Sequence, residues 1–554
     1  MTSVKVPIKV QKRSGFDKSH HNALSQPIGK IVPVLTDEII PNTKIYCRFA
    51  VAGSMAPLAS DTYMKCYYDV RAFFVPMRLL YGGFQDWFSD YEFPAVNYVG
   101  GGESNHITTQ KSDIPVIMIN TDATTELLEC ISPGSLADYL GYKVIAEELS
   151  VGLEQTIELN PLPFLAYHRI CNDWYRQPNI QKEFFARPGC GVYSGLGGDE
   201  SYFFAQVPYI AVQGSRRVAS VSDASDGNLL LADDTSIFDL RSANYDYDYF
   251  TNALPKAQNG NPMSVNTSGG SFTIAQLRLM NSVQQFSELN AIAGSKLVDV
   301  VKARYGANLS DAVAQRSIYL GGCRIDIATG STSVTVPNTQ GANTNNPMLK
   351  QVGASAGRVR CIGTDIIVDN FTAQEPGYLM VVACVVPKVT YATGIRRYLT
   401  HFTELGSLTD MANPLLQNIG NQPIYQFELM GNLGIDTAFD VFGYTDRYAE
   451  YMSMEDECHG LFNYDGDLSS FIAQRAFNFQ SDVRISDSFL QIPTDALDNI
   501  SAVSSDVSKY GFFGQFAFDY KVSQPLAQYS LPSLQNPAYE HGKTIMVHRG
   551  GFRF

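Results

Sequence analysis

Apolar and polar positions alternate strictly near both ends of the chain. In Met64–Phe74 the residues Met64, Cys66, Tyr68, Val70, Ala72 and Phe74 share one side, and Lys65, Tyr67, Asp69 and Arg71 the other. This period of two predicts a strand with one face buried. Ile45, Cys47, Phe49 and Val51 repeat the pattern upstream, where Ala52-Gly53-Ser54 is expected to turn the chain. Phe516, Phe518, Tyr520 and Val522 repeat it downstream, against Ala517, Asp519 and Lys521. Tyr378–Val386 is apolar throughout, which predicts a strand covered on both faces and ended by Pro387. Phe439 and Val441 mark another short strand.

Between these, the period changes. Phe164, Tyr167, Cys171 and Trp174 recur at helical spacing, and Pro178 requires that helix to stop near Gln177. Leu279, Val283, Phe286, Leu289, Ala293, Leu297 and Val300 form one stripe from about Ile274 to Tyr305, with Gly306 as its stop. Both helices are expected to pack on the protein's own sheet. Residues 189–242, 256–271 and 328–357 read as long polar loops, of the kind that serve as functional surfaces or interface arms. Strands at both ends with insertions between them predict a mainly β chain. Its simplest form is one antiparallel jelly-roll sandwich or barrel over 41–554, carrying long helical and loop insertions. A basic N-terminal arm (1–40) precedes it, and a C-terminal arm (523–554) closes it.

Of the 554 residues, 45% are apolar and 17% charged. That excludes wholesale disorder and leaves few charges for an uncovered surface of this size. The 31 Tyr and 32 Phe against 2 Trp suit strands and half-buried subunit interfaces equally. A net charge of −14 excludes nucleic-acid binding by bulk charge, so any DNA contact must come from local clusters. One cluster holds Lys5, Lys9, Lys12, Arg13, Lys18 and Lys30 against the single acid Asp17; it is either an arm that touches phosphate or a solvated terminus. A second holds Lys543, His548, Arg549 and Arg553, and reads equally as a genome-facing patch or an arm clamped on a neighbouring subunit. The nine cysteines form no CxxC pair and are odd in number, the usage of reduced, buried thiols in a cytosol. The opening residues lack the apolar core of a secretory signal. The longest apolar run, Leu379–Val386, falls far short of the ~20 residues a membrane span needs.

Catalytic patterns are scarce. Gly353-Ala354-Ser355-Ala356-Gly357 spells G-x-S-x-G, but a strand pattern follows it instead of the strand-to-helix turn that such a nucleophile needs. The glycine-rich stretches at 189–191 and 195–198 open no apolar helix, and there is no HExxH. His20 and His21 are adjacent and would point apart on a strand, so no metal ligand is assigned. Asp246 with Asp248, and Asp465 with Asp467, are carboxylate pairs of the kind that cut glycosidic bonds or hold calcium. Neither completes a calcium-loop pattern. These acids support an alternative reading as a β-rich glycan-binding or glycan-cleaving protein, with structural calcium as the one cofactor considered.

Seven segments, in order, resemble the major capsid protein of the Microviridae, the tailless icosahedral phages with single-stranded DNA, most closely in its gokushovirus branch. They are Arg13–His21 (RSGFDKSHH), Phe73–Phe88 (FFVPMRLLYGGFQDWF), Leu162–Ile180 (LPFLAYHRICNDWYRQPNI), Asp248–Gly260 (DYFTNALPKAQNG), Tyr319–Gly322 (YLGG), Val441–Tyr451 (VFGYTDRYAEY) and Phe489–Asp498 (FLQIPTDALD). The resemblance implies a non-enzymatic jelly-roll subunit, sixty copies in a T=1 shell, and circular single-stranded DNA inside. It also implies an internal scaffolding protein and a DNA pilot protein as partners, surface loops that meet a host receptor, and assembly in a bacterial cytoplasm into the virion. Lys5, Lys9, Lys12, Arg13, Lys543, Arg549 and Arg553 are then the candidate DNA contacts. Two stretches depart from the pattern. The dozen residues after Gly260 are short for the insertion that relatives build into a threefold protrusion. The segment after Tyr451 reads MSMEDECHG where relatives tend to be basic.

Overall fold

The computed structural model describes residues 13–55, 58, 62–63, 65–80, 84, 88, 93–95, 108–110, 116–120, 132–142, 156–184, 211–213, 216–221, 236–258, 274–292, 296–333, 355–400, 412–431, 433–434, 436–464, 466–477, 483–501 and 511–526. Its frame is a sheet of β1 (Ser14–Asp17), β2 (His20–Gln26), β3 (Val32–Ile39), β4 (Thr43–Met55), β5 (Lys65–Pro76), β6 (Ile318–Ser333), β7 (Ser355–Ala373), β8 (Gly377–Lys388) and β9 (Phe512–Gln524). The order is β1-β9-β4-β7-β6-β5-β8-β3, with β2 sharing the edge of β9 that β1 uses. Every pairing in it is antiparallel. Two four-stranded faces, β2-β9-β4-β7 and β3-β8-β5-β6, meet where the long β6–β7 hairpin passes from one to the other. That is the jelly-roll arrangement.

The sheet curls until its two ends touch. Asn22 donates to the Val34 carbonyl (2.9 Å). On β3, Asp37 receives the Lys18 ammonium at 2.6 Å and the Tyr520 hydroxyl at 2.7 Å. Inside lies a core of Phe49, Val51, Tyr68, Phe74, Val381, Phe512, Phe516 and their neighbours, where the Tyr68 and Phe512 rings stack with centroids 4.7 Å apart. The outer side of β5 and β8 is also covered. Phe73, Val75, Met380, Val382 and Cys384 pack beneath α1 (Leu162–Ile170). The continuously apolar Tyr378–Val386 is therefore buried on both faces, as its pattern predicts. Tyr167 anchors α1 by donating to the Ile31 carbonyl (2.7 Å), and the helix ends in a π-turn, Cys171–Tyr175, just ahead of Pro178.

Two insertions hang from this frame. The first, between β5 and β6, carries α1, α2 (Ile274–Ile292) and α3 (Leu297–Tyr305). It also carries a small sheet of 116–120, 156–159, 211–213 and 216–221. The second, between β8 and β9, pairs Gln422–Tyr425 with Val441–Thr445. The insertions share a core in which Tyr249 and Phe250 of the first meet Phe442 and Phe489 of the second.

The structure departs from the sequence patterns in several places. The sheet begins at Ser14, inside the stretch read as an arm (1–40), because β1 and β2 cover the edge of β9 that would otherwise stand open. Gly53 is not a turn, since β4 runs on to Met55. The glycine makes room for a ring: a Cβ there would lie 2.3 Å from Phe512 Cζ. β8 continues past Pro387 to Lys388. Both ends of the 328–357 loop belong to the β6–β7 hairpin, which remains paired out to Ser333 opposite Ser355. Residues 334–354 lie outside the described residues. Phe439 closes a 3₁₀ turn, and the strand starts at Val441. The predicted helix 274–305 is two helices, α2 and α3, and the α2 stripe faces outward instead of packing on the sheet.

Candidate genome-contact and assembly surfaces

Of the seven basic candidates, Arg13 alone lies among the described residues; Lys5, Lys9, Lys12, Lys543, Arg549 and Arg553 lie outside them. Arg13 is exposed, and its guanidinium donates to the Asn42 side chain at the β3–β4 turn. Register adds two cations that linear reading missed. Asp17 stands opposite Lys521, and Lys44 opposite Ser523, so Lys44 and Lys521 join Arg13 and Lys18 at one end of the barrel. Their signal was present in the outward positions of alternating strands, but only pairing brings them together. A hollow of about 430 Å³ gathers Arg176, Lys182 and Arg241 from separate parts of the chain. The Arg241 guanidinium lies 3.8 Å from the Phe184 ring centroid. Lys30, beside this hollow, donates to Ser242 (2.9 Å), and burial lowers the pKa of its ammonium.

Of the acid pairs, Asp246 and Asp248 lie among the described residues and are engaged in structural contacts. Asp246 meets Arg324 at 3.2 Å and accepts the Tyr67 hydroxyl. Asp248 caps a turn, accepting the backbone N–H of Phe250 (2.9 Å) and Thr251 (2.7 Å) and the Tyr391 hydroxyl (2.7 Å). Both carboxylates are thus spent on local structure. Asp465 lies outside the described residues, as do Gly353 and Ala354. Ser355 begins β7 and is followed by strand, not helix. Among the described residues, no group of three or more His, Cys, Asp or Glu side chains could hold a metal ion.

Where the two insertions meet, a cleft of about 240 Å³ is walled by Tyr249, Tyr391, Tyr398, Tyr451 and Met454 and carries Glu428, Glu450, Glu455 and Glu457. Glu428 is buried, 3.8 Å from Arg397, and accepts the Tyr249 hydroxyl at 2.9 Å. Burial pushes its carboxyl above the ordinary range despite the arginine. Burial, with nearby Asp248, does the same to Glu455. Arg396 pairs with Glu457. The cleft therefore joins aromatic walls to acidic side chains, with Arg396 and Arg397 among them.

A family model described as "Capsid protein (F protein)" matches the chain over residues 4–271 and 267–534. Among curated proteins, the chain is similar to capsid protein VP1 of Chlamydia phage 1, at 24% identity over 96% of this chain and 97% of that protein. It is also similar to capsid protein VP1 of Bdellovibrio phage phiMH2K (24%, covering 95% and 96%) and of Spiroplasma virus 4 (23%, covering 94% and 95%).

Proposed function

The chain belongs to the capsid protein (F protein) family, and from that premise we propose that it is the subunit of a T=1 shell in which sixty copies close around a circular single-stranded DNA genome. It is a structural protein of a small phage and a component of the virion, not an enzyme. The family and the engaged state of Asp246 and Asp248 together set aside the glycan-cleaving alternative. The observation that carries the shell reading is the jelly-roll frame, whose strands run from Ser14 to Gln524, in a chain that aligns with proteins named capsid protein VP1 over 94–96% of its length.

Closed shells reuse one patch many times through rotation, so modest contacts repeated over every copy sum to a stable whole. Low charge and abundant exposed aromatics supply such contacts. The basic termini, with Lys5, Lys9, Lys12, Arg13, Lys543, Arg549 and Arg553, neutralise genome phosphates from inside. Packaging needs backbone neutralisation and some stacking, not base readout. Of the three predicted loops, residues 189–235, 256–271 and 334–354 supply the outer surface that meets the host receptor. The internal scaffolding protein and DNA pilot protein join during assembly in the bacterial cytoplasm.

Electron microscopy of the chain expressed with its neighbouring phage genes tests this reading. Uniform icosahedral particles of sixty copies are expected; a monomer or small oligomer that never closes would overturn it.

A further inference from the structure

Two exposed apolar surfaces stand on different insertions, and they carry opposite charge. On α2, Leu279, Val283, Phe286 and Leu289 are 65%, 37%, 53% and 38% exposed. A helix of a soluble domain turns such a stripe toward its core; this one turns it outward. The α2–α3 pair carries Arg278, Lys296, Lys302 and Arg304 against Glu288 and Asp299, and the Arg304 guanidinium lies 5.2 Å from the Phe286 ring centroid. The stripe thus presents an apolar knob with a cation on it. The second surface is the rim of the cleft between the insertions, where Tyr398, Tyr451, Met452 and Met454 are all more than half exposed. The cleft carries Glu428, Glu450, Glu455 and Glu457 against Arg396 and Arg397, and residues 441–460 around it add Asp446 and Asp456 against Arg447. This includes the acidic MSMEDECHG stretch, to which the shell reading gives no task. Apolar patches of this kind mark interaction sites.

We propose that the outward face of α2, centred on Phe286 and Arg304, docks in a neighbouring copy onto the acidic aromatic cleft bounded by Tyr398, Tyr451 and Met454. A different patch on each partner makes the contact heterologous, so repetition by rotation closes a ring about a symmetry axis. Charge complementarity selects a second copy as the occupant: the cleft is a poor seat for nucleic acid, and the basic helix pair supplies the matching sign. The inference rests on the reading of the chain as a shell subunit.

The test uses assembled particles of the full chain. Val283→Cys and Leu289→Cys flank Phe286, and each is combined with Met454→Cys under mild oxidation, then run on non-reducing gels. Cross-linked ladders from the double variants, with monomers from every single variant, are expected. Phe286→Asp should lower particle yield at least about tenfold while leaving the melting temperature of the unassembled subunit unchanged. Dimers from Val283→Cys alone would show α2 packed on its own symmetry mate and overturn the proposal. Intact particles with no cross-link would also overturn it, leaving another partner, such as the scaffolding protein, to cover the stripe. Failure of the unaltered chain to form any particle would sink the shell reading and this contact with it.

Discussion

At the scale of single residues, Asp37 helps hold the barrel shut by receiving both Lys18 and Tyr520. Asp37→Ala should cost about 1–3 kcal/mol of stability, read as a lower denaturation midpoint with unchanged m-value; an unchanged midpoint would show that the seam is held elsewhere. Glu428 makes a pH prediction. Burial raises its folded-state pKa above the ordinary 4.5, so the fold favours the protonated form. That contribution is complete below the ordinary value and is lost as pH rises through the folded one. As pH rises from the ordinary 4.5, stability of the native protein should therefore fall relative to Glu428→Gln, in melts recorded side by side. The thiols follow the same rule. Burial pushes Cys47, Cys171 and Cys323 up to about 12 and Cys361 to about 11. Alkylation at pH 8 should be at least about a hundredfold slower in native than in unfolded protein, as peptide mass spectrometry would show. The burial of the thiols was expected from the sequence, but the partners of Asp37 and Glu428 could not be read from spacing. The sequence marked Asp246 and Asp248 as a pair, whereas their fates depend on Arg324 and Tyr391, far away in the chain.

At the scale of elements, legibility tracks burial on the chain's own core. β4, β5, β8 and β9 were plain because one face, or both, meets that core and the pattern has to obey it. α2 misled for the converse reason. Its stripe is as regular as that of a core helix, but periodicity shows that a face needs cover and says nothing of what covers it. Glycines misled likewise. Gly53 reads as a turn residue, yet it sits within a paired strand because the Phe512 ring occupies the space of a side chain. Gly53→Ala should destabilise by about 1–3 kcal/mol through overpacking, measured by chemical denaturation; a neutral result would mean that the ring can shift freely. The strand pairings of 14–26 were missed because β1 and β2 are short and polar, and β9 gives them a place.

At the scale of the whole molecule, the frame separates what is structural in the N-terminal stretch from what can serve the genome. A chain lacking residues 1–12 should fold and assemble but package less DNA, judged by the nucleic-acid content of purified particles. A chain lacking residues 1–26 should fail to fold, having lost both partners on the outer edge of β9. Equal DNA content in the shorter deletion would remove the N-terminal lysines from the genome contact. The capsid family itself was legible from short segments in order, because those segments line the frame and the joint between insertions. The interface surfaces were not, since they acquire meaning only when a second copy is present.

β9 sits between β4 and the β1–β2 edge, with Phe512 beside Met55 and Gly514 beside both Gly53 and Leu24. The strand that completes one face is thus the last strand of the sheet to leave the ribosome. At ~5–20 residues per second, the apolar inner side of β4 waits roughly 20–90 s for its neighbour. Through that interval the nascent polypeptide cannot close its barrel, and it presents an unpaired edge to any other chain nearby. The delay also acts as proofreading. A product that terminates before Phe512 has no finished barrel to offer, so prematurely released translation products are barred from the shell by their own topology.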